Sequence, residues 1–133
     1  MANGDAQLDA MLERLRTLPE LARKAAPEVA RVVERELERT IAAATTPEGE
    51  PWAPKKDGGG AALATAGKAL RLAVAGSTIV VKITGHIARH HKGWGKGGVQ
   101  RRVLPVRGIP APMQRAIAPV LGRHFEQHMA VSP

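Results

Sequence analysis

A chain of 133 residues with 44% apolar content suits one domain around one core, and with 2% aromatics that core must rest on Leu, Val and Ile. The lack of cysteine excludes disulfides and thiolate metal sites, and no apolar run approaches the roughly 20 residues of a membrane span. The net charge of +8 is uneven: Met1 to Asp57 holds nine Lys/Arg against eleven Asp/Glu (−2), and Gly58 to Pro133 holds eleven against the single acid Glu126 (+10).

In chain order, Leu8, Met11, Leu12, Leu15 and Leu18 recur at three- and four-residue steps, which predicts a short amphipathic helix with Asp5 as its N-cap. Met1 to Leu18 lacks the apolar segment of a signal peptide, so an unexported, soluble protein is expected. Pro19 ends this helix or opens the next. A longer helical pattern covers Glu20 to Ala44, with Ala22, Ala26, Val29, Val33, Leu37 and Ile41 on one face. Glu28–Arg31 and Glu36–Arg39 are spaced to pair on it, and Pro27 either kinks it or restarts it.

"TTPEGEPWAPKK", Thr45 to Lys56, then places an indole among three prolines. The "DGGG" of Asp57 to Gly60 is a joint, after which the apolar period changes to two. Leu70, Leu72 and Val74, then Ile79, Val81 and Ile83, flank Gly76-Ser77 and predict a β-hairpin. "HIARHHK" is expected to make one helical turn, "GWGKGG" a loop, and Val99 to Val106 a third strand that Pro105 either confines to an edge or ends. "GIPAPM" is expected to be extended, and Gln114 to Met129 to close the chain as a helix, with Pro119 in its first turns or as a break. The prediction is an α+β domain over 1–133. Its parts are a helical stretch (5–44), a proline-rich turn (45–57), an antiparallel sheet region built on the hairpin (69–106) and a C-terminal helix (113–129).

No catalytic constellation emerges. His86/His90 and His124/His128 are spaced to share helical faces, but there is no Cys, and the only acid near either pair, Glu126, falls on the wrong face of its helix to complete a zinc site. Gly67-Lys68 fails as a phosphate loop, with Ala62 and Ala69 where Gly and Ser/Thr are needed. Ser77 and Ser132 have no Asp beyond Asp57 to orient a histidine. A non-enzyme without metal or cofactor is expected. The basic segment "ARHHKGWGKGGVQRR" can follow a phosphate backbone and stack a base on Trp94, and it contains no sequence-reading motif.

The proline-rich stretch resembles the Asp-Pro-(Asp/Glu)-Gly-x-Pro-(Trp/Tyr)-x-Pro turn of the phage virion morphogenesis family, the tail completion proteins of contractile-tailed and Mu-like phages. The matching residues are Pro47, Gly49, Pro51, Trp52 and Pro54. "STIVVKITG" is similar to the family strand ending in Thr84-Gly85. "ARHHKGWG" resembles the family's Ala-Arg-x-His-Gln-(Tyr/Phe)-Gly segment with one residue inserted, matching Ala88, Arg89 and His91, with Lys92 in place of the glutamine. "RGIPAPM" stands where the family has Arg-Pro-Leu-Leu-Gly, with Arg107 in the arginine place.

The resemblance implies a structural neck component of the virion. It would be a homo-oligomeric ring that meets tail-tube, connector or other neck proteins, assembled in the host cytoplasm, with DNA passing non-specifically through its channel and no membrane involved. Lys92, Lys96, Arg101, Arg102 and Arg107 lie within sixteen residues that contain no acid, which makes them the expected channel- or partner-facing cations. The alternative expectation is a small basic protein that binds nucleic acid without sequence preference.

Overall fold

The computed structural model describes residues 2–52, 70–93 and 100–130. Helix α1 (Ala2–Arg16) and helix α2 (Leu18–Ala42) are separated by Thr17, and Pro19 stands in the first turn of α2. There its missing N–H and fixed φ cost nothing. Strands β1 (Leu70–Ala75) and β2 (Thr78–Ile83) form an antiparallel hairpin, followed by α3 (His86–Lys92) and α4 (Ala111–Met129). The architecture is α+β, as expected.

α2 is the spine. Its face carries Ala25, Ala26, Ala30, Val32, Leu37, Thr40 and Ile41 in buried positions, and α4 and the hairpin both pack on it. The helix runs through Pro27, which is exposed, so no second helix starts there. Trp52, Leu70, Val103, Met113, Ile117 and Val120 complete a core with Val32, Leu37 and Ile41. In the hairpin, Leu70 lies opposite Ile83 and Leu72 opposite Val81, so one face of the ribbon is apolar and turned to this core. Gly76 holds φ +63° in the two-residue turn, a conformation that side chains with a Cβ resist.

Four expectations are corrected. Asp5 is not an N-cap: α1 begins at Ala2 and places Asp5 in its first turn, where a carboxylate still complements the helix dipole. Val99 to Val106 is not a third strand. Over 100–106 the chain has no strand, because the N–H groups that a ladder would use are taken by α3, and the sheet among the described residues has two strands. The segment before the last helix is shorter than expected, since Pro110 precedes a helix that starts at Ala111 with Pro112 in its first turn. "HIARHHK" forms a seven-residue helix, longer than one turn.

The leading apolar stripe is another surprise. Leu8, Met11, Leu12 and Leu15 are all exposed, the first to 53%. α1 is instead tied to the end of α4 through polar groups. Arg14 Nε donates to the Ala130 carbonyl at 3.0 Å, and His128 Nε2 lies 2.7 Å from the Arg14 carbonyl and 3.1 Å from Thr17 Oγ1.

Candidate functional site

The proline-rich turn closes on itself before it touches anything else. Ala44 takes φ +57° at the end of α2, and Gly49 takes φ +99° at the turn's tip. Thr46 N–H donates to Glu50 O at 2.8 Å, Gly49 N–H to Thr46 O at 2.9 Å and Glu50 N–H to Thr46 Oγ1 at 3.1 Å. Thr45 and Pro51 form an antiparallel bridge, and Trp52 N–H donates to Ala44 O at 2.8 Å. The chain therefore doubles back and delivers Trp52 beside the C-terminal turns of α2. The indole is 7% exposed and belongs to the same core cluster as Leu37 and Ile41, which answers why an aromatic-poor chain keeps one here. Pro47 is buried and Pro51 exposed, while Pro54 lies outside the described residues.

The indole also reaches across the chain. Its Nε1–H donates to the Arg102 carbonyl at 2.9 Å. Glu48 of the same turn sits 3.6 Å from the Arg102 guanidinium. From the other side, α3 grips the same segment. Arg101 N–H donates to His90 O at 2.9 Å, and the Arg101 guanidinium donates to His90 Nδ1 at 3.0 Å. His91 Nδ1 accepts the N–H groups of Val103 and Leu104, at 3.1 and 3.3 Å. This requires the ring's Nδ1 to be unprotonated, so its proton sits on Nε2. Burial, reinforced by the Arg102 and Lys92 charges, holds the His91 pKa below its ordinary value, in agreement with that tautomer.

The result is a clamp. Residues 101–104 have no regular structure of their own, yet Val103 is fully buried among the core residues. The tryptophan turn satisfies the carbonyl at 102, and α3 satisfies the N–H groups at 101, 103 and 104. Sequence reasoning singled out Trp52 and His91 separately and did not foresee that both hold one segment. The only advance signal was that each falls in a matched motif. Gly85 (φ +67°) turns the chain from β2 into α3, where Ala88 N–H bonds back to Gly85 O at 3.1 Å, and Thr84 is exposed.

The structure separates the five expected cations. Arg101 is 8% exposed and committed to His90, and Arg102 is half-buried beside Glu48. Lys92 and Arg107 are exposed, and Lys96 lies outside the described residues, as do Trp94 and Gly67-Lys68. The expectation that Arg101 and Arg102 point to opposite faces of a strand falls with that strand. Glu36 and Arg39 pair as expected at 2.8 Å, whereas Glu28 binds Arg123 and His124 of α4. His124 and His128 line a cavity of about 140 Å³ with Leu21, Lys24 and Gln127. Among the described residues no three His, Asp or Glu side chains gather as a metal site, and no described helix is long and apolar enough to cross a membrane.

No curated protein and no solved structure matches the chain. A family model does match, over residues 4–123, and the match takes in most of α1, all of α2, the tryptophan turn, the hairpin, the clamp and most of α4. The chain belongs to the phage virion morphogenesis family, and its role is a structural one in assembly of the phage virion.

Proposed function

We propose that this protein is a tail completion component of the neck, assembled as a ring of identical subunits where the tail meets the DNA-filled head. The observation that carries the finer reading, beyond family membership, is the surface. A chain this small leaves Leu8, Met11, Leu12 and Leu15 of α1, and Leu121 and Phe125 of α4, exposed to water. Apolar surface of that kind on a small domain marks a contact with another protein. The hydrogen-bonded clamp and the helical spine suit a building block that keeps its shape under load. Lys92 and Arg107, with Lys96, are the cations proposed to face the DNA channel or an acidic neighbouring ring, and tail-tube or connector proteins are the proposed neighbours.

Deleting the gene from a phage that carries it should leave filled heads and finished tail tubes unjoined. Normal particles from the deletion would defeat the neck role. The second reading, a nucleic-acid-binding module without sequence preference, is favoured by the +10 balance of the C-terminal 76 residues. It requires the purified protein to bind duplex DNA with an affinity that falls steeply as salt rises. The neck reading expects weak binding to free DNA and strong binding to a tail-tube or connector ring.

A further inference from the structure

His124 and His128 sit one turn apart on α4 and line, with Gln127 of α4 and Leu21 and Lys24 of α2, a cavity of about 140 Å³. That is several times the roughly 10–15 Å³ that one water requires. Both rings are held by the same nitrogen. His128 Nε2 lies 2.7 Å from the Arg14 carbonyl oxygen, and His124 Nε2 lies 3.4 Å from Glu28 Oε1. A carbonyl and a carboxylate only accept, so each Nε2 carries the proton. In the neutral rings each Nδ1 is then an acceptor, and neither Nδ1 has a hydrogen-bond partner among the described residues.

The charges around the cavity are mixed, with cations ahead. Lys24 is exposed and has no ion-pair partner among the described residues. Glu28 is committed to Arg123 and His124. Arg14 of α1 bonds to the Ala10 and Ala130 carbonyls, while Glu20, one turn before Lys24, is exposed and does not line the cavity. Glu126 falls on the side of α4 opposite both histidines. The lining thus sets an ammonium and an amide, Lys24 and Gln127, beside two acceptor nitrogens. A ligand that satisfies all of it accepts from the first pair and donates to the second.

We propose that this cavity binds the hydrogen phosphate ion. Its charged oxygens accept from Lys24 and the Gln127 amide, and its O–H donates to Nδ1 of His124 or His128. Sulfate has the same shape but no O–H, so it satisfies the donors alone. When a ring takes up a second proton, its Nδ1 becomes a donor while Nε2 keeps its bond, and sulfate then fits as well. Because His128 also holds the end of α1, a bound ion braces α4 against both α1 and α2. The site lies within one chain and does not depend on the neck reading.

NMR of the imidazole C–H signals tests this on the purified protein, with inorganic phosphate or sulfate added at constant ionic strength. At pH 7.5 phosphate should shift His124 and His128 saturably and leave His90 and His91 unmoved. Sulfate should bind about tenfold more weakly there, for want of one hydrogen bond, and that preference should vanish at pH 5.5. Lys24→Gln, at an exposed position, leaves a folded protein with a cooperative melt and should weaken phosphate about tenfold. Shifts that do not saturate, equal binding of the two ions at pH 7.5, or undiminished binding by Lys24→Gln would each overturn the inference. So would a response at His90 and His91 in place of the α4 pair, which would assign the ion to the basic surface instead.

Discussion

Trp52 and Arg102 are fifty residues apart in the chain, and the indole Nε1–H of the first donates to the carbonyl of the second at 2.9 Å. That bond ties the proline-rich turn to a segment which has no secondary structure to hold it. Because the ring is also buried in the core with Leu37 and Ile41, Trp52 has two separable contributions.

Trp52→Ala should destabilise the fold by about 3 kcal/mol or more, the range for large aromatic truncations in a core. Trp52→Phe keeps most of the buried area and loses the bond to Arg102 O, so it should cost less than the alanine change. Urea unfolding of both variants measures the two. A Trp52→Ala protein with the parent's unfolding curve would mean that the indole contributes nothing to the monomer.

His91 gives a pH prediction. Its folded pKa lies below the ordinary histidine value of about 6.5, so above that pH both states hold it neutral and the clamp contributes fully. As pH falls below about 6.5 the unfolded chain takes up the proton first, and stability declines until the folded pKa is reached. His91→Ala should cost about 1–3 kcal/mol at neutral pH by leaving the N–H groups of buried Val103 and half-buried Leu104 without an acceptor. It should also remove this share of the decline in acid. His91→Asn, whose side-chain oxygen can stand near the position of Nδ1, should recover part of the neutral-pH loss but not the pH dependence. Parallel stability profiles for parent and His91→Ala between pH 7.5 and pH 5 would contradict the assignment.

Two glycines should respond oppositely to alanine. Gly76 sits at φ +63° in the hairpin turn, so Gly76→Ala should lower stability by about 1 kcal/mol. Gly122 is helical with open space at its Cβ position, so Gly122→Ala should raise the stability of the isolated chain by up to about 1 kcal/mol. Thermal melts of the two variants check the signs.

How legible the fold was depended on where its backbone hydrogen bonds go. α2 and the hairpin repeat their apolar residues at 3.6 and 2, and local periodicity disclosed both. Residues 99–106 also look like a strand by composition, but the N–H groups of Arg101, Val103 and Leu104 bond to the His90 carbonyl and the His91 ring, partners that no periodicity reveals. The stripe of α1 was equally visible, yet periodicity cannot say whether such a face meets this chain's core or another chain. Arg101 illustrates the same limit in charge. Its place in a basic run suggested a surface cation, and the structure buries it against His90.

Among the cations, Lys92 and Arg107 are exposed and both belong to the strongly basic half. Lys92→Glu with Arg107→Glu should leave a folded protein with a cooperative melt and reduce infectious yield about tenfold or more, since a like-charge clash across a contact costs several kcal/mol. Plaque counts and melts on the same double variant test this. Parent yields would remove these two residues from any DNA-facing or partner-facing role.

The most direct test of the neck assignment is where the protein sits in a finished particle. Cryo-electron microscopy of virions, with this structure fitted to the density between head and tail, should show a closed ring of copies at the head-proximal end of the tail, with DNA running through or toward its lumen. Finished virions in which no copy occupies that position, or in which the protein is found elsewhere in the particle, would contradict the account.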